Sequence, residues 1–258
     1  MGVIDRQDLF CPDLQVSVGG YVFDSGISVE MHSDKNKPCD WGKVKFTSEY
    51  QPKISLAELS DMTVSLGYNG NLQDVFVGTL TRAYNGYNMD GILFKDNMYK
   101  LEKTNISATF KDCTPQDIIR EGLAAAGIGG MHLSDTTYPA KKIFPVYDKN
   151  IEQLLGQINA TWGINNKSYF SRGEFYWGVI PEQGEVLEFE YGSNIISLGK
   201  YMDTWEIETI SVPSMQHSQK ISVIHPKISG VFETEKVVFK TNDAGFIRTT
   251  IYFKEGQS

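Results

Sequence analysis

The residue types that could bind a metal or carry out catalysis are few and scattered in this 258-residue sequence. Its histidines and cysteines are His32, His132, His217 and His225, and Cys11, Cys39 and Cys113. They form no HExxH, no CxxC and no other spacing typical of a metal site. His217 and His225 could converge on one face of a hairpin, but ordinary strand or surface histidines explain them more simply. We therefore expect no metal, no cofactor and no catalytic residue.

Clustered glutamates offer a second kind of chemistry. Glu185, Glu188 and Glu190 lie close together in the sequence. Glu206 and Glu208 share one face of a predicted strand. Two carboxyl groups about 5–10 Å apart are the arrangement that cleaves glycosidic bonds. Because acidic residues are frequent in this chain, we favour the solvent-exposed face of a strand over an active site.

An aromatic run in the segment KSYFSRGEFYWGV offers a platform for sugar binding. Its members are Tyr169, Phe170, Phe175, Tyr176 and Trp177. A hairpin around Arg172-Gly173 with buried rings explains the run more simply. The glycine-rich GIGG at 127–130 follows a predicted helix, whereas a phosphate loop leads into a helix. We therefore interpret GIGG as a helix stop and turn.

Hydrophobic periodicity predicts strands at both ends of the chain. Apolar and polar residues alternate through the first hundred residues, for example at Leu14, Val16 and Val18. Asn69-Gly70 predicts a type I′ hairpin with arms near 62–68 and 73–82. From about residue 186 onward, short β-branched and aromatic runs are separated by turns, which is typical of a barrel or sandwich.

The middle of the chain has a helical period instead. Thr114-Pro115 predicts the start of a helix over 114–126. An apolar stripe from Ile151 to Trp162 predicts a second helix over about 150–162, with KKIFPVY as a short strand before it. These elements indicate a small α+β unit between two β segments.

Composition excludes several classes of protein. Lys plus Arg number 24 against 32 Asp plus Glu, which gives a formal net charge of −8. This acidic excess argues against binding driven by phosphate neutralisation and against docking on an anionic membrane. No apolar run approaches 18 residues, and MGVIDRQDLF lacks the features of a signal peptide, so we expect no direct membrane insertion. The scattered cysteines indicate folding in a reducing cytoplasm.

Four phrases, taken in order, resemble the tail-hub family of contractile phages and related particles. They are VSLGYNGNLQDVFVGTLTRA, FKDCTPQDIIREGLAAAGI, YDKNIEQLLGQINATWGINNKSYFSRGEFYWG and VPSMQHSQKISVIHPKISGVFETEKVVFKTNDAGFIRTTIYF. The family includes the T-even phage baseplate hub, late control D proteins, the hubs of PBSX-like phages and R-type bacteriocins, and the N-terminal part of VgrG spikes. The resemblance covers about residues 14–254.

The resemblance implies a mainly β fold with an α+β insert, in which two tube-protein-like β-barrels flank a small α+β domain. The implied domains are 1–98, 99–184 and 185–258. It also implies a non-enzymatic, structural role as a homotrimer that joins the hexameric tail tube to the trimeric central spike. Further implied partners are baseplate wedge proteins and the tape-measure protein, with DNA only as passing cargo. Assembly would take place in the bacterial cytoplasm, and the product would be a virion tail or a released phage-tail-like particle.

The charge distribution adds an expectation about the channel of such a trimer. Residues 1–100 carry a net charge of −4, residues 101–180 are neutral, and residues 181–258 carry −4. Acidic walls would repel a passing polyanion, so we expect carboxylates of both β segments to face the channel. Two alternatives stay open: a tail-associated cell-wall hydrolase or glycan-binding module, and a secretion-system spike without its effector part.

Overall fold

The computed structural model describes residues 12–47, 55–84, 91–241 and 246–255. The chain divides into two compact units. One contains the two ends of the chain, up to Lys95 and from Glu182, and the other is Asp96–Pro181. The second unit covers nearly the same residues as the predicted insert, 99–184. The division of the two flanking segments into separate barrel domains stays a prediction.

Strands dominate the structure, as expected. In the first segment they are β1 (Pro12–Val18), β2 (Tyr21–Phe23), β3 (Ile27–Asp34), β4 (Trp41–Phe46), β5 (Asp61–Tyr68), β6 (Asn71–Tyr84) and β7 (Gly91–Asp96). The middle contains α1 (Met98–Lys103), β8 (Asn105–Cys113), α2 (Pro115–Ala125), β9 (Met131–Leu133), β10 (Lys141–Asn150), α3 (Ile151–Trp162), β11 (Ser168–Ser171) and β12 (Glu174–Trp177). The last segment contains β13 (Leu187–Glu190), β14 (Ile195–Tyr201), β15 (Thr204–Ile210), β16 (Lys220–His225), β17 (Ile228–Thr241) and β18 (Ile247–Lys254). The fold is therefore mainly β.

One continuous sheet joins the first and last segments of the chain. The strand order is β14-β15-β18-β17-β3-β4-β7-β6-β5-β1-β2, with β16 beside β17 and β13 beside β16. The junction is the antiparallel pair β3–β17, in which Glu30 lies opposite Lys240. The backbone N–H of Val29 donates to Thr241 Oγ1 at 2.7 Å in the buried part of this junction. Two segments that are 200 residues apart in sequence thus share one hydrogen-bonded sheet.

Strand alternation places a hydrophobic core on one side of this sheet. Successive side chains point to opposite faces, so every second residue of β4 and β18 is buried, as are Ile27, Val29 and Met31 of β3. Met31, Val44 and Phe94 from the first segment share one core with Phe239 and Ile251 from the last. The core therefore does not divide at the segment boundary.

The Asn69-Gly70 hairpin is confirmed. Tyr68 at the end of β5 pairs with Asn71 at the start of β6, which leaves two residues in the turn. Asn69 has φ +54° and Gly70 has φ +81°. Positive φ at both central residues is the requirement of a type I′ turn, which Asn-Gly meets at little steric cost.

Both predicted helices of the middle unit are also confirmed. Thr114 and Asp117 form a capping box at the start of α2, and Asn150 and Gln153 form one at the start of α3. Four members of the predicted apolar stripe of α3, from Ile151 to Ile158, are buried, whereas Trp162 at its end is only partly buried. The six-residue helix α1 was not predicted, because less than two turns show no period. None of the helices within the described ranges is long and apolar enough to cross a bilayer.

Candidate functional site

The histidines weighed as a pair lie at opposite ends of a strand. The His217 imidazole Nδ1 is 2.9 Å from Ser218 Oγ, just before β16. His225 ends β16, with its ring 4.7 Å from that of Tyr191. The five residue steps from Lys220 to His225 alone span roughly 16 Å, so the two histidines do not share a site. Across the described parts of the chain, no three His, Cys, Asp or Glu side chains are grouped so that they could hold a metal ion.

The clustered glutamates lie on strands that are not paired with each other. Glu188 and Glu190 belong to β13, which pairs with β16, on either side of the buried Phe189. Glu206 and Glu208 belong to β15, which pairs with β14 and β18. Strand pairing therefore does not bring the two groups together, and each lies on a solvent-facing side of its strand.

The aromatic run is divided between the core and the surface of the middle unit. Phe170, Phe175 and Trp177 are buried, as the simpler interpretation predicted. Tyr169 and Tyr176 point outward and stack with ring centroids 5.6 Å apart. His132 from β9 stacks on the other side of Tyr176 at 4.5 Å, which leaves little of the Tyr176 ring face open to a sugar. Burial, and then the neighbouring Tyr176, raises the pKa of Tyr169 to about 12.

The glycine-rich segment and the cysteines have structural roles. Gly127 has φ +72° directly after α2, and the Ile128 N–H donates to the Leu123 carbonyl at 2.9 Å, which confirms the helix stop. Cys39 and Cys113 are buried and not in a disulfide, and Cys11 lies outside the described residues. Burial raises the pKa of the Cys113 thiol, which disfavours a reactive thiolate.

A cluster of basic side chains on the outward face of the sheet is the most distinctive surface of the first unit. We call it the basic face, and it comprises Lys43, Lys45, Lys95, Lys236, Lys240 and Arg248. Strand alternation places all six on the side opposite to the core. Cross-strand pairing brings these side chains together. Arg248 lies opposite Lys240, and only Glu30 of β3 lies between Lys240 and Lys43 across the sheet. Six cations from four strands thus form one surface.

Glu30 lies in the middle of the basic face. Its carboxylate is 2.9 Å from Lys43 Nζ and 2.9 Å from His32 Nε2. Burial alone would raise the pKa of Glu30, but the hydrogen bonds from Lys43 and His32 and the charge of Lys43 lower it to about 2. Glu30 therefore stays ionised at neutral pH and neutralises part of the surrounding positive charge.

An aromatic pair borders Glu30. The rings of His32 and Trp41 stack with centroids 4.3 Å apart and planes 11° from parallel. Burial lowers the pKa of His32, the nearby charges of Lys236 and Lys43 lower it further, and Glu30 opposes the shift. His32 is therefore neutral near pH 7 and serves as a stacking partner for Trp41, which is 39% exposed.

Beyond β18, the charge of the outward side chains changes from positive to negative. Glu206 and Glu208 extend from β15, and Glu208 accepts a hydrogen bond from Ser197 Oγ at 3.3 Å. Burial, and then Glu206, raises the pKa of Tyr252. An open groove of about 610 Å³ lies over Gly199 and is lined by Tyr201, Glu206 and Tyr252 among others. The outward face thus has an acidic end beside the basic face.

Comparisons by sequence identify no relative. No protein-family model matches this chain, and no curated protein matches it. Comparisons by structure do. A 43 kDa tail protein of prophage MuSo2 from Shewanella oneidensis matches with a TM-score of 0.71 at 11% identity, over 94% of this chain and 97% of that one. A tail protein from Neisseria meningitidis matches with a TM-score of 0.69 at 15% identity, over 95% and 97% of the two chains.

This chain has the fold of phage tail proteins. A third structure extends the comparison to secretion systems: an Escherichia coli component of the type VI secretion system, described as similar to the T4 tail proteins gp27 and gp5. It matches with a TM-score of 0.64 at 12% identity, over 94% of this chain and 77% of that one. The predicted resemblance is therefore confirmed at the level of the fold, and the tail-protein fold accounts for nearly the whole chain.

The basic face was missed because its residues are distant in sequence. Locally, KVK at 43–45 and KVVFK at 236–240 show that lysines alternate with apolar residues. That alternation indicates lysines on the polar side of each strand. It does not show that β3 pairs with β17, which is the contact that combines the two groups into one surface.

Proposed function

We propose that this chain is a structural baseplate hub of a contractile tail, in a phage or a phage-tail-like bacteriocin. The observation that carries the proposal is the extent of the tail-protein fold, which covers 94% of this chain and 97% of the Shewanella tail protein. The Shewanella and Neisseria chains that match are both described as tail proteins, which favours a structural role. We accordingly propose a structural and non-enzymatic role in the tail.

The proposed assembly is a homotrimer that joins a hexameric tail tube to a trimeric spike. Each chain contributes two β segments, so three chains would present six β segments to the six subunits of the tube ring. The β3–β17 pairing supports this arrangement because it sets both segments side by side in one sheet. A ring of three needs a heterologous contact between two different surfaces of the same chain.

The two ends of the continuous sheet are suited to such a contact. β14 and β2 end the strand order and differ from each other in length and sequence. Ile196 on β14 is 45% exposed, and Val22 on β2 is 60% exposed. Within the described residues, the outer edge of β2 pairs with no strand and that of β14 has only an isolated bridge between Tyr191 and Ile195. Exposed apolar residues on such edges favour pairing with another chain. We propose that these edges take part in the contacts between copies.

Light scattering of the purified chain tests the trimer. Three chains of 29.0 kDa give an expected mass of about 87 kDa. Ile196→Lys should reduce the mass towards that of one chain, because a charged side chain on a strand edge opposes pairing. Ile143→Lys is the control, since Ile143 is 66% exposed on the other unit. A wild-type chain that stays monomeric at all concentrations contradicts the proposed trimer.

The proposed partners are the spike, tail tube, baseplate wedge and tape-measure proteins, with DNA as passing cargo. Co-purification of the trimer with the spike and tube proteins encoded beside it would support this set. The expectation that carboxylates of both β segments face the channel stays a prediction. A structure of the trimer would test it directly.

A glycan-binding module is the second candidate. The outward row of Tyr169, Tyr176 and His132, with the Glu174 carboxylate 3.6 Å from His132 Nε2, is the observation in its favour, although Tyr169 and His132 cover the two faces of the Tyr176 ring. Retention of the chain on purified peptidoglycan, and its loss in Tyr176→Ala, would support this candidate. Cell-wall clearing that Glu206→Gln abolishes would support a hydrolase. The hub proposal expects neither.

A further inference from the structure

We propose that the basic face binds the phosphate backbone of a nucleic acid, without regard to sequence and in a salt-dependent way. This inference goes beyond the hub role and does not depend on the trimer, because the six basic residues all belong to one chain. It concerns direct binding of nucleic acid to the protein surface, whereas DNA that only passes through a channel does not need to be bound. It rests on charge and spacing.

Within the described residues, four of the six cations of the basic face form no ion pair with an acid: Lys45, Lys236, Lys240 and Arg248. Lys43 is ion-paired with Glu30. Lys236 Nζ lies 5.3 Å from the centre of the Tyr252 ring, and the Arg248 guanidinium lies 5.2 Å from that of Phe246. Contact with an aromatic ring holds a cation in place but leaves its charge intact.

Lys45 and Lys240 extend this charge towards solvent. Both are exposed, and both lie on strands whose neighbouring side chains are buried. The field of the cluster also acts on His32, where the charges of Lys236 and Lys43 add to burial in lowering the pKa. The basic face is therefore a region of positive potential on a chain whose net charge is −8.

The spacing of the cations suits a row of phosphates. Lys43 and Lys45 are two residues apart on β4, which separates their Cα atoms by about 7 Å. Lys95 on the adjacent β7 lies opposite Trp41, two residues beyond Lys43, and continues the row. From β18 to β7 the surface crosses four strand spacings of about 4.8 Å, roughly 19 Å in all. That width matches a nucleic-acid helix better than a single extended peptide.

The composition of the basic face disfavours a stable protein partner. Lysine is depleted from protein–protein interfaces, which are anchored by buried aromatic or apolar side chains. Val238 lies within the basic face but is only 8% exposed, and the exposed rings of Trp41 and Phe246 are each covered on one side, by His32 and by Arg248. A phosphate backbone needs no such anchor, because release of its counterions provides the driving force.

Fluorescence anisotropy of a labelled 30-base-pair duplex with the full-length chain tests the proposal. At 50 mM salt we expect saturable binding that weakens as salt rises, with a log–log slope of about −4 to −5 if most of the six cations contact phosphates. Lys45→Glu/Lys240→Glu should weaken binding at least about tenfold and make the slope shallower by about 2. Both positions are exposed, and an unchanged circular dichroism spectrum would show that the variant folds.

Lys142→Glu/Lys227→Glu is the matched control, since both lysines are exposed elsewhere and the change in net charge is the same. It should retain wild-type affinity. The proposal is overturned if the wild type does not bind at 50 mM salt, or if both double variants lose affinity equally. It is also overturned if polyglutamate of equal charge displaces the duplex as well as unlabelled DNA does, because an acidic protein would then be the better partner. None of these outcomes depends on whether the chain is a trimer.

Discussion

Gly42 lies on the core-facing side of β4, against the ring of Phe94. A Cβ atom at this position would lie 2.6 Å from Phe94 Cε2 and 2.7 Å from the carbonyl oxygen of Glu30. Real Cβ contacts below 3.0 Å are essentially absent from proteins, so Gly42→Ala would force both neighbours to move. Phe94 is 1% exposed and packs edge-on against Phe76 at 4.6 Å, so the ring has no free space to enter.

The expected cost follows from this geometry. Adding one methyl group to a well-packed core typically destabilises a protein by about 1–3 kcal/mol. We expect Gly42→Ala to lie at the upper end, near 3 kcal/mol, because the Glu30 carbonyl belongs to the sheet and the strands must separate to relieve the clash. For a unit of this size that corresponds to a decrease of about 6–12 °C in the melting temperature.

Thermal and urea unfolding of the purified chain provide the assay. Gly199→Ala is the control, because a Cβ at Gly199 would meet nothing within 4 Å. It should change the free energy of unfolding by less than about 0.5 kcal/mol. Gly42→Ala/Phe94→Leu should be less destabilised than the sum of its single variants, with incomplete rescue because the Glu30 carbonyl remains. Equal stability of Gly42→Ala and Gly199→Ala would refute the reasoning.

Two further predictions concern charged residues beside the β3–β17 junction. Because the folded-state pKa of Glu30 is lowered to about 2, its ionisation stabilises the fold above pH 4.5, and this contribution is lost as pH falls from 4.5 through 2. The stability difference between wild type and Glu30→Gln, about 1 kcal/mol near pH 7 after solvent screening, should shrink over that range. Lys35 Nζ lies 3.2 Å from Glu233 and 3.4 Å from Glu235, so Lys35→Ala should cost about 1 kcal/mol in urea unfolding. Lys37→Ala in the same turn should cost less than half of that, and equal losses would argue against the ion pairs.

Local sequence signals predicted much of the fold. Asn69-Gly70 predicts its turn because positive φ at two successive residues suits few other dipeptides. Thr114-Pro115 predicts the start of α2, and the apolar stripe from Ile151 predicts α3, because each pattern matches the local geometry of a helix. These signals depend on residues within four positions of each other, so no knowledge of the tertiary structure is needed to interpret them.

Contacts between distant residues were not predictable in the same way. Nothing near Glu30 indicates that Lys240 lies opposite it, because a strand shows which residues face outward but not which strand pairs with it. His217 and His225 show the converse case, in agreement with the favoured interpretation that they are ordinary strand or surface histidines. They are close in sequence, but extended backbone between them keeps their side chains apart. The basic face could therefore be identified only from the strand order, whereas periodicity predicts the strands that build it.

β4 shows how one strand separates stability from binding. Its residues alternate between the outward Trp41, Lys43 and Lys45 and the inward Gly42 and Val44. A change on the inward side should therefore lower stability and leave DNA affinity unchanged at temperatures where the chain is folded. A change at the exposed Lys45 should lower affinity and leave stability unchanged, whereas a change at Lys43 would also remove its ion pair with Glu30. If Gly42→Ala weakened binding while the chain was fully folded, the basic face would depend on packing beneath it, and charge alone would not explain its affinity.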